Sequence, residues 1–159
     1  MKVVSDTSPL CHAVWIGEAA ILPALFGRIV IPIGVAEELA DEGAPGVVRS
    51  WIAQPPDWLE VRAVAVGKTL PALNRLHRGE REALILARQL DADLVLVDEL
   101  AARRAAERLG LRVMGLLGVL DEAARRRRLD FSSALDRLVA TDFYLSPQLI
   151  EAFRRMHER

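Results

Sequence analysis

A single cysteine, Cys11, is all the chain carries. No intrachain disulfide can form, and the expectation is a protein of a reducing, cytoplasmic compartment. The start shows no basic segment followed by an apolar one, so no signal peptide is expected. The longest apolar stretches, Ala19–Gly27 and Val113–Leu120, are too short to span a bilayer, which sets membrane partners aside. Net charge is nearly absent, with 21 Lys and Arg against 22 Asp and Glu. The whole-molecule field is therefore weak, and a nucleic acid would have to be held by a local basic patch. Internal repeats, low-complexity tracts and a Gly-rich phosphate loop are missing too. Cys11, His12, His77 and His157 show no zinc-ligand spacing.

What remains is an ordinary globular composition. Of 159 residues, 52% are hydrophobic and 27% charged, which allows one domain, spanning residues 1–159, with a sizeable core. Short apolar runs alternate with helical patterns. Strands are expected at Lys2–Ser5, Arg28–Ile31, Trp58–Val64, Leu94–Val97 and Arg112–Met114. Helices are expected at Pro9–Leu22, Ile33–Asp41, Val47–Ala53, Glu80–Leu90, Glu99–Leu109, Leu116–Arg127, Phe131–Val139 and Pro147–His157. Val66–Arg78 reads as a loop with a helical turn. The alternation implies an α/β/α three-layer sandwich around a mostly parallel sheet of four or five strands.

The first strand ends on Asp6, and Ser8-Pro9 follows as a helix-start signal. With Ser8 reading as the N-cap, Asp6 is free of that duty. Asp98 closes the Leu94–Val97 strand in the same way. Parallel strands put both acids at the carboxyl edge of the sheet, where open α/β sheets place ligands. Asp98 has a second reading as cap of the helix after it, and the two roles do not exclude one another. Glu80 rides the rim of a buried face carrying Ala83 and Ala87, whereas Glu82 points further toward solvent. In Ile33–Asp41, Glu37 and Glu38 flank the apolar face about equally, and periodicity does not choose between them. Carboxylates gathered in one crevice repel unless a cation neutralises them, and an all-oxygen set suits Mg²⁺ or Mn²⁺. Such ions serve phosphoryl chemistry by activating a water and stabilising the attacking and leaving oxygens.

Five stretches in order, VVSDTSPL, IPIGVAEEL, LHRGEREALILA, LVLVDELAAR and LGLRVMGLLGVL, make the chain resemble PIN-domain proteins, the fold of metal-dependent ribonucleases that includes VapC-type toxins. The resemblance runs over roughly residues 2 to 150. It implies that the four acids are Asp6, Glu38, Glu80 and Asp98, choosing Glu38 over Glu37, with Glu99 as an auxiliary ligand. Thr7 or Ser8 would supply a hydroxyl near the metal, and Arg103 matches a frequent arginine. Two positions depart from the pattern. The Gly-Thr-Leu-Gly turn is Gly115-Leu116-Leu117-Gly118 here, and a frequent lysine is Ala124. The implied activity is a Mg²⁺- or Mn²⁺-dependent endoribonuclease, the toxin of a toxin–antitoxin pair. RNA as substrate, an antitoxin protein and a second copy of the chain would be its partners. The alternative is a PIN-like module that binds RNA or protein without cutting. A phosphatase of the haloacid-dehalogenase type would need an aspartate where Ser8 stands.

Other residues receive plainer readings. Arg103 and Arg104, below Asp98, are candidate substrate contacts. Arg125–Arg128 is a candidate phosphate patch, outweighed by its reading as cations favoured at a helix C-terminus. Trp15, Trp51 and Trp58 read as core or interface residues, and Cys11 and His12 as packing residues. Leu149, Ile150 and Phe153 face either the body of the domain or another chain.

Overall fold

The computed structural model describes residues 1–65 and 70–158. Along the chain, β1 (Val3–Ser5) leads into α1 (Thr7–Trp15), α2 (Ile21–Phe26), β2 (Ile29–Pro32), α3 (Ile33–Ala40) and α4 (Gly46–Ala53). Next come β3 (Leu59–Arg62), a 3₁₀ turn at Pro71–Leu73, α5 (Arg78–Gln89), β4 (Leu94–Leu96) and α6 (Leu100–Arg108). The chain closes with β5 (Val113–Met114), α7 (Leu116–Arg125), α8 (Phe131–Val139) and α9 (Pro147–Met156). Part of the loop expected at Val66–Arg78, residues 66–69, lies outside the described residues.

Five parallel strands form one sheet in the order β3-β2-β1-β4-β5. The central strands β1, β2 and β4 are buried on both faces, whereas the edge strands β3 and β5 are only partly covered; alternating side chains divide the core in two. Val3, Ile29, Ile31, Leu59, Leu94 and Leu96 point to one side, where α1, α2, α3, α4, α7 and α8 cover them. Val4, Val30, Val95 and Val97 point to the other and meet Ala83, Leu84, Leu86 and Ala87 of α5 and Ala102, Ala105 and Ala106 of α6. The result is the three-layer α/β/α sandwich. Trp51 and Trp58 pack together with ring centroids 5.7 Å apart. Ile150 and Phe153 of α9 pack on the larger core layer, Phe153 stacking on Phe131 at 5.7 Å.

The expected Pro9–Leu22 helix is two helices. At Gly17, φ is +80°; its N–H donates to the Val14 carbonyl (3.0 Å) and the Glu18 N–H to that of Ala13 (2.8 Å). This pair of bonds is the Schellman closure that glycine permits, because only it adopts positive φ without cost. The start of the helix also differs. α1 begins at Thr7 with Asp6 in the N-cap position, and Ser8 caps nothing.

Candidate active site

The strand order reverses direction between β1 and β4. One half of the sheet grows outward from β1 through β2 to β3, and the other from β4 to β5. Connections leave such a pair in opposite directions and open a crevice beyond the carboxyl ends. Asp6 directly follows β1, its N–H donating to the Leu96 carbonyl (2.9 Å). Asp98 lies two residues beyond the last residue of β4. Topology alone thus sets these two acids on adjacent strand ends.

The other acids arrive on helices. α3 packs beside α5, and Glu38 turns inward while Glu37 pairs with Arg78 at the surface. Thr7 Oγ1 donates to Glu38 Oε2, and the Gly79 N–H donates to Glu38 Oε1 (3.0 Å). Gly79 has to be glycine for this approach: a Cβ there would stand 2.5 Å from Glu38 Oε1. Glu80, next along α5, is 4% exposed; its Oε1 accepts the His77 backbone N–H (3.4 Å), which closes the start of the helix. Glu82 does not point to solvent. It accepts the Gly34 N–H (2.9 Å) and binds Arg78 (2.7 Å), so it ties α5 to α3.

Asp98 does not cap α6, whose N-cap is Glu99. Its Oδ1 accepts the Leu116 N–H at the start of α7 (2.7 Å), and its Oδ2 accepts the Ser8 hydroxyl (2.8 Å). The hydroxyls expected near the acids are therefore both engaged, Thr7 with Glu38 and Ser8 with Asp98. Glu99 is exposed, yet close enough to Glu80 to disfavour its charge. Arg103 is half-buried and Arg104 exposed; among the described residues neither makes an ion pair within 4 Å. The Arg103 charge still favours the ionised form of Asp98. By contrast, Arg125 and Arg126 bind Asp121 and Glu122 one turn earlier on α7, which fits a solvated helix end.

Burial dominates the electrostatics. Asp6, 2% exposed, has its carboxyl pushed from 3.8 up to about 7, chiefly by desolvation, with further rises from Glu80 and Glu38. Desolvation also raises Glu80, against the pull of the neighbouring His77, and raises Asp98 against the hydrogen bonds from Leu116 and Ser8. Asp6, Glu38 and Glu80 thus form one interacting group. Asp98 stands beside it across Thr7 and Ser8.

Two carboxylate oxygens, Asp6 Oδ1 and Glu80 Oε2, are buried with no hydrogen-bond partner among the described residues. A buried acceptor without a donor is costly, and a hard cation is the partner such oxygens fit. Among the described residues, no three Asp, Glu, His or Cys side chains already surround one point as a finished ligand set. Asp6 and Glu80 are buried, and Glu38 and Asp98 line separate clefts on either side of them.

Two histidines that the sequence did not single out for the site lie close to its residues. His77, 56% exposed on its side chain, spans two acids, with Nδ1 3.5 Å from Glu38 Oε1 and Nε2 3.3 Å from Glu80 Oε1. Its place three residues before Glu80, where a capping residue stands, was the available signal. His12 is more than a packing residue. Its Nδ1 lies 2.9 Å from the Ser8 carbonyl and its Nε2 2.7 Å from Asp142 Oδ1. No local pattern announces a partner 130 residues away.

The class defined by this fold is an α/β/α sandwich with an acidic crevice at its switch point. A family model, DUF3368, described as a PIN domain, matches residues 2–159, and the chain belongs to that family. Comparison with curated proteins and with solved structures returned no match. PIN domains are generally nucleases, which makes the coarse class a nuclease-like hydrolase. No helix among the described residues is long and apolar enough to cross a membrane.

Proposed function

We propose that this PIN domain is a Mg²⁺- or Mn²⁺-dependent endoribonuclease, the toxin of a type II toxin–antitoxin pair acting in the cytoplasm. The observation that carries the reading is the pair of buried oxygens on Asp6 and Glu80 that have no hydrogen-bond partner among the described residues. Asp6, Glu38, Glu80 and Asp98 would hold the ion, with Glu99 at the margin. When bound, the ion would supply Lewis-acid stabilisation of the phosphate oxygens and a more acidic water.

The chain's own residues prepare the rest. Thr7 and the Gly79 N–H fix Glu38, while Ser8 and the Leu116 N–H fix Asp98. These hydrogen bonds go to charged oxygens, the stronger kind, and hold the carboxylates before substrate arrives. Arg103 and Arg104, free of ion pairs among the described residues, are the cations for an RNA phosphate. An antitoxin segment bearing a cation would inhibit by seating in the acidic crevice, and two copies of the chain would form the active dimer.

The test is cleavage of RNA by the Asp6→Asn and Asp98→Asn proteins with Mn²⁺ supplied. Losses of 100-fold or more are expected, on the order of what removing one electrostatic stabiliser costs an enzyme. Cleavage at the parent rate by both proteins would refute the reading. A second reading, a PIN-like module that binds RNA or protein without cutting, draws on the unfinished ligand set and on Leu116 at the Gly115–Gly118 turn. Calorimetry discriminates: no heat of binding at millimolar Mg²⁺ or Mn²⁺ favours the module.

A further inference from the structure

Tyr144 is the one tyrosine of the chain, and it stands 85% exposed beside the Asp98 end of the crevice. The residues before it are anchored. The Asp142 carboxylate meets His12 Nε2 at 2.7 Å. The Phe143 ring packs edge-on against His12 with centroids 5.0 Å apart, and its N–H donates to Thr141 Oγ1 (3.1 Å). After it, Ser146 Oγ accepts the Leu149 N–H (3.1 Å) and starts α9. Tyr144 is therefore presented to solvent by a fastened segment.

The ring stands between two clefts, both of which also touch Asp98. One, of about 440 Å³, is lined by Asp98, Glu99 and Asp142 together with Ser8 and His12. Three carboxylates there repel a phosphate. The other, of about 450 Å³, holds Arg103 over a floor that includes Met114, Leu145 and Phe153. Its one acid, Asp98, has both oxygens already bonded. Gly115 leaves room for the guanidinium: a Cβ at that position would stand 2.9 Å from Arg103 Nη1. Cation, exposed ring and acid thus lie along one cleft that leads to the candidate active site.

We infer that this cleft is a nucleotide subsite, with a base of single-stranded RNA stacked on Tyr144 and its phosphate on Arg103. The inference rests on the ribonuclease reading and adds where the substrate strand lies. Stacking on an aromatic face tolerates any base, so the subsite sets single-strand preference rather than sequence.

The experiment is binding of a fluorescently labelled single-stranded oligoribonucleotide by anisotropy, in EDTA so that no cleavage occurs. Tyr144→Ala weakens binding roughly 5- to 150-fold, the span that one base–aromatic stack covers, and Tyr144→Phe restores it. Arg103→Gln flattens the slope of log affinity against log salt by roughly 0.7, the share of one phosphate on a single strand. Melting temperatures confirm that each variant folds, as the exposure of Tyr144 leads one to expect. Parent-like binding by Tyr144→Ala overturns the subsite and leaves the ribonuclease reading standing, the ring then serving a protein partner. An oligonucleotide that binds neither parent nor variant overturns the subsite, and cleavage assays with Mn²⁺ then decide the ribonuclease reading separately.

Discussion

Replacing Asp6 with Asn removes an ionisation that burial opposes. The carboxyl is pushed from 3.8 to about 7 by burial, so between those values the folded protein binds a proton that the unfolded chain has released. Stability must then fall as pH rises through this window. At about 1.4 kcal/mol for each pH unit of the shift, the cost saturates near 4 kcal/mol above pH 7. An Asn at this site does not titrate, although its amide adds buried donors worth about 1–3 kcal/mol if unsatisfied. That penalty is the same at every pH. The difference between variant and parent at pH 8, minus the same difference at pH 4, therefore isolates the ionisation at about 4 kcal/mol in favour of Asn. In melting temperature this is a relative gain of roughly 8–16 °C for a chain of this size. Chemical denaturation at both pH values in EDTA measures it. A divalent cation at 100 times its Kd should return about 2.7 kcal/mol to the parent at pH 8 and much less to the variant. Parallel pH dependence in the two proteins would refute the reasoning, since Asp6 would then titrate as an ordinary surface acid.

Two further substitutions test how the acids are held. Gly79→Ala sets helix propensity, which favours Ala by about 1 kcal/mol, against a Cβ 2.5 Å from Glu38 Oε1; calorimetry should show weakened Mn²⁺ binding with a melting temperature little changed. Ser8→Ala removes a hydroxyl donor from the partly buried Asp98 carboxylate, so urea denaturation at pH 8 should show a loss of about 1.5–3 kcal/mol, with Ser8→Thr recovering part of it.

Much of the architecture was legible before any coordinate. The continuous apolar runs at Val3, Ile29 and Leu94 announce strands buried on both faces, and their alternation with helices announces a parallel sheet. Helix ends were less legible where a glycine inside an apolar stretch, Gly17, closes a helix by its positive φ. The choice of Glu38 over Glu37 came from a resemblance; the structure supplies a physical reason, since Thr7 and the Gly79 N–H receive one carboxylate while Arg78 draws the other outward. Ser8 was misread because a capping pattern describes only neighbours in sequence. Its actual acceptor, on Asp98, lies 90 residues away.

By itself, then, the sequence determined the layers, the strand ends and the presence of acids at two of them, because hydrophobic periodicity and chain punctuation act over a few residues. Only the tertiary structure decided which acids face one another, which oxygens are left without donors, and that His12 and His77 join them. Those properties arise from burial and from contacts between residues 30 to 130 positions apart, and neither distance nor desolvation is written in local pattern.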